Sequence, residues 1–140
     1  MKGMIYKMKE YPDITEAERL IMEILWRDGE CGSHMVTKEM KKQLGWTRQT
    51  VRTYLIRLKD KGLVDTRKIN ERVLHYFPVV SKKDYAAGKA TGVLRKYYTG
   101  ISGMVAGIMT TEKIDDSELR KLEELIENAP RVEKDKEDRV

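Results

Sequence analysis

Three short helical patterns, each closed by a glycine, precede a pair of β-prone runs, and that order restricts the chain more than any single element in it. In "ITEAERLIMEILWRDG" Thr15 and Glu18 stand at the spacing of a capping box, while Ala17, Leu20, Ile21, Ile24 and Leu25 form one apolar stripe that Gly29 ends. "GSHMVTKEMKKQLG" reads as a shorter helix with Ser33 as its cap, Val36, Met40 and Leu44 as its buried edge, and Gly45 as its stop. Thr47 caps a third helix that runs to about Lys61 and closes at Gly62. "LVDTRKINERVLHYFPVV" then places two β-prone runs around the polar stretch Lys68 to Arg72, the pattern of a hairpin with a charged tip. Three helices and a hairpin in this order predict a winged helix-turn-helix. The expected fold class is mainly α with a small β-hairpin, the winged helix-turn-helix being followed by a C-terminal helical dimerisation region.

The third helix has two faces. Val51, Tyr54, Leu55 and Leu58 recur as a core stripe, and Gln49, Arg52 and Thr53 share the other side. In a helix-turn-helix the recognition helix lies in the major groove with its N-terminal residues at the base edges. Arg52 suits guanine O6 and N7, Gln49 suits adenine, and Thr50 or Thr53 suits a phosphate or a thymine methyl. Gln49, Thr50, Arg52 and Thr53 are therefore the expected base contacts. Phosphate contacts, which give affinity and register but carry no sequence information, are expected from Lys41, Lys42, Thr47, Arg48, Arg57, Lys68 and Arg72.

Charge agrees with that assignment. The chain carries a net +5, yet Lys41 to Arg72 alone holds ten basic residues against Asp60, Asp65 and Glu71, and residues 81–140 hold equal numbers of acids and bases. A basic surface concentrated in one window favours a polyanionic partner, here double-stranded DNA. The aromatic residues nearby need no such role: Trp26 and Trp46 read as core or turn-packing residues, and Tyr76 and Phe77 as the side of the hairpin packed on the helices.

Beyond the hairpin, Ser81 and Asp84 offer a second capping box, opening a long helix through "KKDYAAGKATGVLRKYYTG". Gly88 and Gly92 each cost about 1 kcal/mol relative to alanine in a helix interior, which points to close packing or a weak segment. "ISGMVAGIMTT" carries Met104, Val105, Ile108 and Met109, and "DDSELRKLEELIENA" carries Leu119, Leu122, Leu125 and Ile126, each set on one helical face. Left open, these eight side chains would make a large exposed apolar surface, so pairing between two chains is the expected burial. Pro130 stops the last helix, and "RVEKDKEDRV" has the composition of a disordered tail. The expected division is residues 11–80 for DNA binding, 81–128 for dimerisation and 129–140 as the tail.

Other function classes find little support. At 140 residues the chain is long enough for one compact domain and an appendage. Its start is too polar for a signal peptide, and no run approaches the roughly 18 apolar residues of a membrane span, so a cytoplasmic protein without membrane insertion is expected. Cys31 is the only cysteine, which excludes an intrachain disulfide and a cysteine-rich metal site on one chain. His34, in a loop, and His75, in a hairpin strand, stand in no catalytic constellation, and there is no glycine-rich phosphate loop. Neither an enzyme nor a cofactor or metal is expected. The competing readings are a winged-helix protein-interaction module and a non-specific architectural DNA-binding protein, because fold alone does not settle function.

"ITEAERLIMEILW", "WTRQTVRTYLIRLKDKGLV" and "HYFPVVSKKDY" together resemble the penicillinase-repressor family, in the same order and with similar spacing, over about residues 11–127. The resemblance implies a homodimeric transcriptional repressor whose N-terminal winged helix binds a palindromic operator and whose C-terminal helices form the dimer. It implies that Gln49, Thr50, Arg52, Thr53 and Arg57 face DNA, and that an inducing protease or sensor is a further partner. Two departures stand out. The chain lacks the cysteine-rich metal hook of the copper-sensing relatives, and "GMVAGIM" puts Gly107 and Ile108 where β-lactam-responsive relatives carry the Asn-Phe bond that is cut.

Overall fold

The computed structural model describes residues 10–132, and the last eight residues of the expected tail lie outside them. Helix α1 (Glu16–Asp28) is followed by a short strand β1 (Cys31–Gly32), helices α2 (Ser33–Leu44) and α3 (Arg48–Asp60), strands β2 (Val64–Lys68) and β3 (Leu74–Pro78), and helices α4 (Lys82–Tyr97), α5 (Ile101–Met109) and α6 (Asp116–Glu127). The protein is thus mostly helical with a three-stranded antiparallel sheet in the order β1-β3-β2, which is a winged helix-turn-helix with helices after the wing.

Local chemistry sets the helix starts. The Thr15 hydroxyl accepts from the Glu18 amide at 3.1 Å, and the Glu18 carboxylate accepts from the Thr15 amide at 2.8 Å, so the capping box closes reciprocally. The Ser81 hydroxyl accepts from the Asp84 amide at 3.0 Å ahead of α4, and Asp115 accepts from the Glu118 amide at 2.8 Å at the start of α6.

Helix α2 departs from expectation at both ends. Its N-cap is Gly32, not Ser33, and no side-chain bond caps it. The reason is tertiary: Cys31 and Gly32 pair with Tyr76 and His75 of β3, which holds the backbone extended up to Ser33. The helix therefore begins sooner than a loop reading allows, and His34 lies in α2 rather than in a loop. At the other end Leu44 is 54% exposed and is not a buried edge, because α2 has left the core by its last turn.

The core lies between α1, α2, α3 and the sheet. Ile21, Met22 and Leu25 of α1, Val36 of α2, and Val51, Leu55 and Leu58 of α3 are wholly buried, with Leu63, Val64, Tyr76 and Val80 closing the side toward the sheet. Each such large side chain stabilises the fold by about 1.5–3 kcal/mol relative to exposure. Trp26 packs on this core and donates its indole N–H to the Val80 carbonyl at 2.9 Å.

Helix α4 extends the same body. The Tyr85 ring lies 5.6 Å from that of Tyr11 and 5.9 Å from that of Trp26, and its hydroxyl donates to the Pro12 carbonyl at 2.7 Å. Lys89 adds an ion pair to Asp13. The first compact unit ends at Lys96 and the second begins at Tyr97. In the second unit neither α5 nor α6 buries a residue within the chain.

Candidate nucleic-acid interface

The turn between α2 and α3 is built for a sharp change of direction. Gly45 takes φ 70°, a conformation that costs glycine little, and its amide donates to the Lys41 carbonyl at 2.9 Å. Two residues later Thr47 caps α3, its hydroxyl accepting from the Thr50 amide at 3.2 Å and lying 3.1 Å from the Thr50 hydroxyl. The first turn of α3 carries no acidic residue to compete with an anion at its positive end.

With Val51, Leu55 and Leu58 turned into the core, the helical repeat places Gln49, Thr53 and Ile56 along the opposite side, with Arg52 and Arg57 at its flanks. Gln49 and Arg52 are exposed, while Thr50 and Thr53 are half-buried. The Thr53 hydroxyl donates back to the Gln49 carbonyl at 3.0 Å, which restrains its rotamer. The Trp46 and Tyr54 rings pack 5.3 Å apart, and the Arg57 guanidinium sits 5.4 Å above the Tyr54 ring. That cation–π contact positions Arg57 without neutralising it.

The wing is tied to the sheet edge by Glu30. Its carboxylate accepts from Arg67 of β2 at 2.6 Å and lies 2.8 Å from His75 Nδ1 of β3. The Arg67 guanidinium, and then His75, hold the Glu30 carboxyl below the usual carboxylate range. At the tip the Asn70 side chain accepts from the amides of Arg72 and Val73 at 2.9 and 3.1 Å, and the Ile69 amide donates to the Val73 carbonyl at 2.9 Å. Lys68 and Arg72 flank this ordered turn.

The ion pairs divide the ten basic residues of the Lys41–Arg72 window. Lys61 pairs with Glu18 at 2.6 Å, Arg67 with Glu30 at 2.6 Å, and Lys59 lies 3.9 Å from Asp65. The other seven are Lys41, Lys42, Arg48, Arg52, Arg57, Lys68 and Arg72; all are exposed and none has an acidic partner among the described residues. Nothing in the sequence marked Glu18 and Glu30 as the acids that withdraw two of the ten, since these partners stand 43 and 37 residues away.

The family model described as penicillinase repressor matches residues 14–128. The chain belongs to the penicillinase repressor family. Among its curated relatives, the penicillinase repressor of Bacillus licheniformis is 30% identical over 121 residues, covering 86% of this chain and 94% of the relative. The methicillin resistance regulatory protein MecI of Mammaliicoccus sciuri is 25% identical over 115 residues, covering 81% and 93%. The solution structure of the monomeric form of Bacillus licheniformis BlaI in complex with the blaP half-operator is 35% identical, with a TM-score of 0.48 over 56% of this chain and 94% of that one. The matched residues extend well past the wing. The described residues of this chain include no helix long and apolar enough to cross a membrane and no group of three or more His, Cys, Asp or Glu side chains placed to hold a metal ion.

Proposed function

We propose that the protein is a cytoplasmic transcriptional repressor that binds a palindromic DNA operator as a homodimer, blocking transcription by occupying the site. The observation that carries the reading is the distribution of charges: acids of the same chain pair with three cations, and the seven left over lie in the last turn of α2, along α3 and at the wing tip. Such a surface releases counterions from a phosphate backbone, which is the main source of affinity for DNA. Its family supports the same reading, being described as penicillinase repressor, as is the Bacillus licheniformis relative.

In this reading Arg52, Gln49, Thr50 and Thr53 touch base edges from residues 11–80. Lys41, Lys42, Thr47, Arg48, Arg57, Lys68 and Arg72 touch phosphates. The apolar faces of α5 and α6, within residues 81–128, join two copies so that their recognition helices reach half-sites about 34 Å apart or a multiple of it. Anything that splits or deforms that dimer, an inducing protease or sensor included, releases the operator.

Two substitutions separate the roles. Arg52→Ala is expected to cost about 1–3 kcal/mol on the preferred duplex and to relax the base preference at one position per half-site. Lys68→Ala is expected to weaken all duplexes alike and to lower the slope of log affinity against log salt by about 1 per bound subunit. Both are read by fluorescence anisotropy with matched and scrambled duplexes. Unchanged affinity in Arg52→Ala would remove that residue from the base-reading set.

The test of the whole reading is binding to the duplex upstream of the protein's own gene and to a scrambled duplex across a salt series. Tighter binding upstream, weakening steeply with salt, is the expected result. Absence of binding at low salt would overturn it and favour a protein-interaction module.

A further inference from the structure

We propose that Ile56 reads a thymine methyl group, so that the apolar part of base recognition comes from the middle of α3. The inference rests on the DNA-binding reading above and names a recognition element that the hydrogen-bonding residues do not provide. Ile56 lies on the outward side of α3, seven residues after Gln49 and three after Thr53, and 46% of its surface is open. The other aliphatic residues of that helix, Val51, Leu55 and Leu58, are wholly buried. On an otherwise polar face, about half of this branched apolar side chain is left uncovered by the chain itself.

Charge identifies what covers it. Arg52 and Arg57 flank Ile56, and neither has an acidic partner among the described residues, so a polyanion is drawn to this part of the helix. Asp60 sets the limit of the contact. It is exposed on the same side, about 6 Å further along the axis at 1.5 Å per residue, where its carboxylate would repel a phosphate backbone. Ile56 is thus the last outward residue before that acid, about 4.5 Å beyond Thr53 along the axis. On the major-groove edges the thymine C5-methyl is the apolar feature. An isoleucine there buries carbon against carbon, and it also disfavours cytosine or guanine, whose polar edge groups would lose their water against it.

The test uses the full chain to select a preferred duplex from a randomised pool, after which each thymine of that duplex is replaced singly by deoxyuridine. One replacement per half-site is expected to weaken the unmodified protein roughly fourfold, the effect of one buried methyl-sized group. Ile56→Ala is expected to bind the thymine and deoxyuridine duplexes equally, whereas Ile56→Val retains the methyl preference. Far-ultraviolet circular dichroism of Ile56→Ala should match that of the unmodified protein and its unfolding midpoint should fall only slightly, because about half of the side chain is open to solvent. Indifference of the unmodified protein to every deoxyuridine, or a methyl preference that survives in Ile56→Ala, overturns the inference. If a sequence is selected and depends on Arg52 while the methyl is ignored, Ile56 alone loses its role. If no sequence is selected, the DNA-binding reading fails and takes this inference with it.

Discussion

Lys61→Met is expected to destabilise the protein by about 3 kcal/mol near neutral pH, because it leaves the Glu18 carboxylate buried without its cation. The Glu18 side chain is 2% exposed, and Lys61 reaches it at 2.6 Å while also donating to the Asp13 carbonyl at 2.9 Å. Burial by itself would push the Glu18 carboxyl up; the hydrogen bond and charge of Lys61, with the Thr15 amide, more than offset this and hold it below its usual value of 4.5. A carboxyl whose folded pKa is depressed contributes stability that is present above the unfolded value and lost as pH falls through the folded one. The unmodified protein should therefore lose this contribution on acidification below about pH 4.5. The difference between it and Lys61→Met should begin to shrink at higher pH, because without Lys61 burial raises the Glu18 carboxyl and protonated Glu18 no longer needs a cation. Urea unfolding at pH 7 and pH 4 measures both quantities. A penalty that stayed constant with pH would assign the effect of Lys61 to packing of its methylene stem. In Glu18→Gln the buried charge is gone while the Thr15 amide can still be accepted, so its cost should be the smaller of the two.

Leu122→Glu is expected to turn the proposed dimer into monomers and to reduce operator affinity by about 10²-fold or more, the contribution of tethering two half-site contacts. The effect follows from the state of α5 and α6 in a single chain. Leu125 and Ile126 are 67% and 63% exposed, and Ile108, Met109 and Leu119 are about two-fifths exposed. Met104, Val105 and Leu122 are half-buried. An aliphatic side chain left in water forgoes about 1.5–3 kcal/mol on full burial, so eight of them supply ample driving force for pairing. A carboxylate in the middle of that face would have to be desolvated with no partner, which association cannot offset. Sedimentation velocity reads the subunit state, and the salt-series binding assay reads the affinity. A variant that remained dimeric would move the interface off this face. Unaltered circular dichroism of the first unit would confirm that the change is confined to assembly.

Much of the winged helix was legible because its signals are local. Thr15 with Glu18, Thr47, and the glycines at 29, 45 and 62 fix helix ends within one or two turns of themselves. The 3.6-residue period alone separates Val51, Leu55 and Leu58 from Gln49 and Arg52. The start of α2 was not legible for the opposite reason. Cys31 and Gly32 are a strand only because β3 offers them a free edge, and a sequence window around Ser33 contains no trace of Tyr76 or His75. Leu44 fits the period of a buried edge, yet it stands where α2 turns away from the core.

The candidate interface divides along the same line. By itself the sequence determined the order of the elements, the polar side of α3 and the excess of positive charge between Lys41 and Arg72, since each follows from residue type and short-range spacing. Only the tertiary structure decided which of those charges remain available. Lys61 and Arg67 resemble their neighbours in sequence, and they are withdrawn by Glu18 and Glu30 because folding brings acids from distant segments against them. An ion pair depends on separation in space over a few ångströms, and that distance is set by the packing of α1 and the sheet rather than by spacing along the chain.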